Sequence, residues 1–183
     1  MDTNADLFDP VETARLKLRC ARPGDAARIA AMITPAVSQW LASWPVPFTL
    51  EMAVERIVAA RKATEEREAL AFVVERRSDG ALLGWIGISC DAANNRRGVL
   101  GYWLGEEHHG HGYMREAAPA VVETAFEKLD LQVIEAGAQP ENVASFTVLR
   151  ACGMIVAGER MVFASARDRD ELCVFYEIAR SAS

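Results

Sequence analysis

The segment GYWLGEEHHGHGYMREA, residues 101–117, decides the fold class of this chain. Its first residues belong to an apolar run, 98–104, that is typical of a β-strand, whereas residues 112–129 repeat apolar side chains at helical spacing. Between the two, Gly110 and Gly112 lie just before the predicted helix. Free N–H groups at a helix start attract anions, and glycine lets the backbone approach a phosphate closely. The strand, glycine loop and helix therefore predict an anion-binding loop.

Two other phosphate-binding motifs do not match this loop. A P-loop requires GxxxxGK followed by Ser or Thr, but Gly112 is followed by Tyr113 and Met114. A dinucleotide-binding fingerprint requires a glycine three positions after Gly112, where this chain has Arg115. The residues alone therefore leave the identity of the anion open.

The loop also contains His108, His109 and His111, which together could suggest a metal site. Histidines this close in sequence rarely converge on one ion, because metal sites usually take their ligands from separated positions. We therefore expect no metal ion, and a solvated loop whose backbone matters more than its side chains.

Outside this segment, the apolar patterns predict an α/β fold with a mostly antiparallel sheet. Strands are predicted over residues 14–20, 70–75, 81–89, 98–104, 132–138, 154–159 and 171–178, and helices over residues 26–33, 49–66, 112–129 and 142–151. Residues 91–97 are predicted to be a polar loop. The helix after the glycine loop links two strands that we expect to be parallel. We expect a flexible tail over residues 1–12 and one domain over residues 13–180.

Composition excludes several classes of function. The chain has 183 residues, 51% of them hydrophobic, with a net charge of −6. A nucleic-acid binder needs a cationic stripe, which this acidic sequence lacks, and no stretch approaches the 18 apolar residues of a membrane span. Four cysteines without a CxxC pair, and an N-terminus without signal-peptide features, indicate reduced thiols and a cytoplasmic location.

Two motifs resemble those of the GNAT acetyltransferases. Residues 101–104 and 107–117 resemble motif A of this family, and PENVAS, residues 140–145, followed by Leu149 and Gly153, resembles motif B. The similarity is strongest to the RimJ/RimL branch, which acetylates N-terminal amines of ribosomal proteins, and it covers about residues 13–179. Two motifs in the right order are far more specific than either alone.

The resemblance implies a fold and a co-substrate. The implied fold is a twisted, mostly antiparallel sheet of about seven strands with about four flanking helices, in which the two central parallel strands splay apart. The implied co-substrate is acetyl-CoA, with its pantetheine arm in the splay. The arm would bond to backbone near Tyr102, Trp103 and Leu104, and the pyrophosphate would lie on the amides and helix start formed by His109, Gly110, His111, Gly112, Tyr113 and Met114.

The resemblance also implies catalytic residues. Many relatives use a tyrosine of the motif-B helix to protonate the leaving thiolate, but residues 142–153 contain none, so Ser145 takes this role. Asn142 would hydrogen-bond the pantetheine or a water molecule. Glu135 is the first choice for the general base. The alternatives are that Ser145 satisfies a local backbone group and that Glu135 is an exposed strand carboxylate.

The acceptor pocket is expected around Trp40, Trp44 and Phe48, where relatives build the acceptor wall; simple packing of these aromatic residues is the alternative. We expect an acetyl-CoA-dependent N-acetyltransferase acting on a protein N-terminal amine, as a monomer or homodimer. Two alternatives stay open: a small-molecule amine as acceptor, such as a polyamine, amino acid or aminoglycoside, and a CoA-binding module with little turnover.

Overall fold

One mixed sheet runs through the structure, a computed structural model that describes residues 5–180. The strands in this part of the chain are β1 (Val11–Glu12), β2 (Leu16–Arg19), β3 (Ala69–Arg76), β4 (Leu82–Asp91), β5 (Asn94–Leu104), β6 (Val133–Ala138), β7 (Ile155–Ala164) and β8 (Arg169–Ala179). The helices are α1 (Ala26–Met32), α2 (Pro35–Ser38), α3 (Leu50–Glu65), α4 (Tyr113–Lys128) and α5 (Val143–Ala151). The predicted fold class is confirmed, and the short elements β1 and α2 account for one strand and one helix more than expected.

The strand order positions the split in the sheet. The order is β1-β2-β3-β4-β5-β6-β8-β7, and neighbouring strands are antiparallel except β5 and β6. Helix α4 forms the crossover between these two parallel strands. They pair over three positions, from Arg97 opposite Val133 to Val99 opposite Glu135. Beyond that register they separate, so the splay between parallel strands is present as expected.

Both faces of the sheet are covered, which explains the near-continuous apolar runs of its central strands. Helices α4 and α5 share one buried cluster with Leu70, Phe72 and Ile86. Helices α1 and α3 share a second cluster with Val73 and Trp85 on the opposite face. Alternation along β3 and β4 sends successive side chains to the two clusters.

Three helix starts follow from local sequence. The side chain of Thr49 accepts a hydrogen bond from the Met52 amide at 3.2 Å, and Asn142 Oδ1 accepts one from the Ser145 amide at 3.3 Å. Both residues therefore cap their helices, a role that the sequence analysis did not assign to Asn142. Helix α4 instead begins after Gly112, whose φ is +75°. Within residues 5–180, no helix is both long and apolar enough to cross a bilayer.

The N-terminal segment differs from the expected tail. Residues 1–4 lie outside the described part of the chain. Leu7 is fully buried in the cluster with α4 and α5, and Val11 pairs with Leu18 of β2. A short stretch with isolated apolar residues has no periodicity that would reveal this packing.

The polar loop predicted over residues 91–97 is wrong. A turn, in which Asp91 Oδ1 accepts a hydrogen bond from the Ala93 amide at 2.8 Å, returns the chain directly into β5 at Asn94. The first side chains of β5 are exposed. Strand pairing there depends on backbone hydrogen bonds, which a polar sequence satisfies as well as an apolar one.

Candidate active site

A cavity of about 540 Å³ opens where β5 and β6 separate. Strand β5 contributes residues 101–103 to its wall, and β6 contributes residues 136–138. The start of α5 adds Asn142 and Ser145, and residues 40–44 before α3 close the other side. Because α3 and α5 lie on opposite faces of the sheet, the cavity passes through the split.

The glycine loop that follows β5, a strand of the cavity wall, presents unpaired backbone donors. Gly110 and Gly112 have φ values of +76° and +75°, a region that glycine adopts without steric cost. Within residues 5–180, no amide N–H from Gly110 to Arg115 donates a hydrogen bond to another protein group. The ring of His109 holds the base of the loop through a 2.9 Å hydrogen bond between Nε2 and the Leu104 carbonyl oxygen. The loop and the first turn of α4 therefore form a site that favours an anion.

An arginine supports this loop from β1–β2. Arg15 Nη1 donates to the His111 carbonyl oxygen at 3.1 Å, and its guanidinium carbon lies 4.8 Å from the centre of the Tyr113 ring. Glu116 accepts a hydrogen bond from Arg15 Nε at 2.6 Å. Sequence reasoning missed Arg15, since nothing in its strand pattern indicates contact with a loop about a hundred residues away. Tyr113 and Met114 themselves bury their side chains and leave only backbone at the loop.

The carboxylate within the loop is directed elsewhere. Glu107 pairs with Arg28 of α1, which lowers the pKa of the Glu107 carboxyl below its usual value. Arg115 is exposed at the start of α4.

Two hydroxyl groups meet at the split. The Tyr102 hydroxyl lies 2.7 Å from Ser145 Oγ and donates to the Ser145 carbonyl oxygen at 3.2 Å. Burial raises the pKa of Tyr102, with a smaller contribution from Cys152, so the phenol stays protonated near neutral pH. Sequence analysis gave Tyr102 only a backbone role. The signal that could have found it is its alternation with Leu104, which places its side chain on the same face of the sheet as α5.

The aromatic side of the cavity is both wall and core. Trp44 is buried, with its ring centre 5.0 Å from Phe48, 5.8 Å from Trp85 and 5.3 Å from Trp103. Trp40 is half-buried, and both Trp40 and Trp44 line the cavity. The two interpretations of this segment, packing and pocket wall, therefore hold together.

This geometry matches a known family. The family model described as "Acetyltransferase (GNAT) domain" matches residues 15–155. The chain belongs to the GNAT acetyltransferases. Among curated relatives, the protein named "Uncharacterized N-acetyltransferase YoaA" of Bacillus subtilis is 30% identical over 148 residues, which cover 80% of this chain and 83% of YoaA. The protein named "Probable N-acetyltransferase YjcK" of the same organism is 34% identical over 107 residues, or 58% of this chain and 59% of YjcK.

Solved structures share the GNAT fold. RimL, a ribosomal L7/L12 α-N-protein acetyltransferase in complex with coenzyme A, superposes with a TM-score of 0.80 at 17% identity. The match covers 93% of this chain and 98% of RimL. This similarity concerns the fold, whereas the family match over residues 15–155 places the chain among the GNAT acetyltransferases.

Glu135 of this GNAT chain lies beneath the split, away from the cavity wall. Its side chain is buried and accepts a hydrogen bond from Arg97 Nη2 at 2.9 Å and another from Arg160. The alternative interpretation, an exposed strand carboxylate, is wrong because Glu135 is buried. Glu135 is also not among the residues that line the cavity. Two ion pairs at the last paired position of β6 indicate a structural role.

Of the described residues that line the cavity, Glu171 is the one with a carboxyl group. Arg167 and Arg169 pair with it at 2.7 Å and 2.8 Å, and Gln139 donates to it at 3.0 Å. These partners, Arg167 above all, lower the pKa of Glu171 to about 2. The GNAT cavity thus contains no carboxylate with a pKa near neutrality in its described wall.

The three loop histidines have separate surroundings. His109 contacts the Leu104 carbonyl, and the His111 ring lies 5.5 Å from the Tyr113 ring. His108 is buried, and burial lowers its pKa. Within residues 5–180, no three His, Cys, Asp or Glu side chains come together as a metal-binding group.

Proposed function

We propose that this GNAT chain transfers an acetyl group from acetyl-CoA directly to an amine, and that the amine is a protein N-terminus. The observation that carries the proposal is a loop of unpaired amides, residues 110–115, that follows β5, the strand that also lines a cavity passing through the sheet. A diphosphate at the loop would leave an attached arm free to enter the split.

The residues present fit such a co-substrate. The amides from Gly110 onward suit a pyrophosphate, and Arg15 holds the loop backbone through its hydrogen bond to the His111 carbonyl oxygen. Beyond Val99, β5 has no strand paired to its β6-facing edge in the described structure, so backbone near Tyr102 is open to an amide-bearing arm. The buried Trp103 Nε1 has no acceptor among the described residues, which a ligand in the cavity would supply.

The hydroxyl pair supplies the acid. Acetyl-CoA contributes a thioester, whose sulfur must take up a proton when it leaves. Tyr102 and Ser145 hold hydroxyl protons at the cavity wall, 2.7 Å apart, and the raised pKa keeps the phenol protonated. Asn142 fixes the start of α5 through its cap and so positions Ser145.

The lack of a free base supports an acceptor that reaches the cavity already neutral. Glu135 does not line the cavity, and Glu171 holds its proton too weakly to remove one from an amine. A protein α-amine has a pKa of about 7.7–8.0, against about 10.4 for lysine, so at pH 7.5 about a third of the former and about one in a thousand of the latter is neutral. RimL, which shares the fold, is an α-N-protein acetyltransferase, and this agrees with the same class of acceptor.

The test combines binding and product analysis. Titration with acetyl-CoA is expected to raise the unfolding temperature, and mass spectrometry is expected to show acetylation of a peptide with a free N-terminus. A matched peptide with a blocked N-terminus and one lysine, and spermidine, serve as comparison acceptors. No stabilisation by acetyl-CoA refutes the co-substrate, and preferential acetylation of lysine or spermidine refutes the proposed acceptor.

A further inference from the structure

Arg56 of α3 lines the same cavity and has no acidic partner. It is half-buried, and it forms no ion pair with any Asp or Glu of residues 5–180. Burial alone lowers the pKa of its guanidinium, without an opposing contribution from a nearby carboxylate. An arginine stays charged in proteins, so the cavity wall contains an uncompensated positive charge.

The surrounding groups hold the Arg56 side chain in place but accept only part of its hydrogen-bond donors. Nη2 donates to the Ser43 carbonyl oxygen at 2.7 Å, and the guanidinium carbon lies 4.5 Å above the centre of the Trp44 ring. Trp44 is itself held by the aromatic cluster. A guanidinium has five N–H donors in a rigid fork that matches a carboxylate. Arg56 is therefore oriented but still has donors to offer a ligand.

Arg56 also lies near the place of transfer. The Trp44 ring beneath it is 5.3 Å from the ring of Trp103, which belongs to the strand that borders the split. The opposite charge in the wall, Glu171, is already neutralised by its own arginines. An anionic group of the acceptor would find its complementary charge at Arg56.

We propose that Arg56 is a specificity-determining residue that binds a carboxylate of the acceptor, so that the enzyme prefers N-termini with an aspartate or glutamate among the first three residues. This inference rests on the proposed function, because it assumes that a peptide N-terminus enters the cavity. Only the Trp44 ring separates Arg56 from Trp103 of β5. This position suits a carboxylate on one of the residues that follow the reacting N-terminal amine.

The test is a set of peptides identical except for Asp or Asn at position 1, 2 or 3. At one of these positions the wild type is expected to show a kcat/KM at least about 10-fold higher for Asp than for Asn, the scale of a charged hydrogen bond. Arg56→Gln is expected to abolish this ratio, and Arg56→Lys to retain part of it. Arg61→Gln is the matched control, since Arg61 on the same helix donates to the Ala21 carbonyl and does not line the cavity.

The ratio separates recognition from packing, because a merely structural role of Arg56 would lower both rates equally. Equal rates for Asp and Asn peptides in the wild type, or an unchanged ratio in Arg56→Gln, overturn the inference. If no peptide is acetylated but free amines are, the proposed acceptor class fails by itself. The same variants are then compared with free aspartate and asparagine, and an absent preference there overturns the role of Arg56.

Discussion

Replacing Gly110 by alanine tests the anion loop most directly. Gly110 has a φ of +76°, and a Cβ added there would meet nothing within 4 Å. Steric overlap inside the protein therefore does not arise. The substitution acts through the backbone conformation and through the space that a bound anion would use.

The two effects have different sizes and readouts. A non-glycine residue in the left-handed region costs about 1–2 kcal/mol, which for a chain of this length lowers the unfolding temperature by about 2–8 °C. A methyl group at the closest approach of phosphate to the amides should also remove at least one charged hydrogen bond. At about 1.5–3 kcal/mol for such a bond, the Kd for coenzyme A should rise about 10- to 100-fold.

Gly153→Ala provides the matched control. Gly153 also has a φ of +76°, and a Cβ there would make an ordinary contact with Ile178 Cδ1 at 3.5 Å. It follows the end of α5 that is remote from Asn142. Both variants should lose similar stability, but only Gly110→Ala should bind coenzyme A weakly in calorimetric titration. A wild-type Kd for Gly110→Ala, or equal weakening in both variants, would refute the assignment of the loop.

Three further changes address the hydroxyl pair and the carboxylates. Tyr102→Phe should lower kcat about 100-fold or more with little change in the Kd for acetyl-CoA, as measured by steady-state kinetics and calorimetry, because only the hydroxyl is lost. Glu135→Gln should lower the free energy of unfolding by about 1–3 kcal/mol in urea titration, since Arg97 and Arg160 lose their charged acceptor, while kcat of the folded enzyme is retained. Glu171 has a folded-state pKa near 2 against an ordinary 4.5, so the stability it contributes is present above pH 4.5 and is lost as the pH falls toward 2. Glu171→Gln should therefore reduce the loss of unfolding free energy over that pH range.

Each of these expectations has a contrary result. An unchanged kcat in Tyr102→Phe would remove the acid role from the hydroxyl pair. A large loss of kcat in well-folded Glu135→Gln, together with a lost limb in the pH profile, would restore Glu135 as the base. A pH dependence of stability that is identical in Glu171→Gln and the wild type would show that its ion pairs are not formed in solution.

The parts of the fold that sequence analysis predicted depend on local patterns. The helix starts near residues 49 and 142 were predictable because a cap bond spans only three residues. The start of β5 and the burial of Leu7 were not predicted, because neither depends on a local pattern. Polar side chains on a paired strand, and one leucine in a short acidic segment, derive their structure from partners distant in sequence.

Within the candidate site, too, local features were predictable and contacts between distant residues were not. The glycine loop is predictable because its function depends on backbone conformation over six consecutive residues. The hydroxyl pair joins positions 43 residues apart, and Arg15 reaches a carbonyl 96 residues away. No spacing rule connects such residues. The sequence therefore indicated the glycine loop, which is local, and did not indicate the side-chain contacts, which are not.

The difference between the backbone loop and the side chains of the cavity wall suggests how one site combines a donor shared by a family with an acceptor of its own. Under the proposed function, backbone amides bind the donor, so many side-chain sequences would satisfy the requirement and a short motif would be enough to specify it. On the acceptor side, the wall lacks a free base among its described residues and contains the unpaired Arg56. Under the two proposals, selection of the amine comes from two properties of the acceptor itself, the pKa of its amine and a nearby negative charge. Both requirements are met together by a protein N-terminus followed closely by an acidic residue.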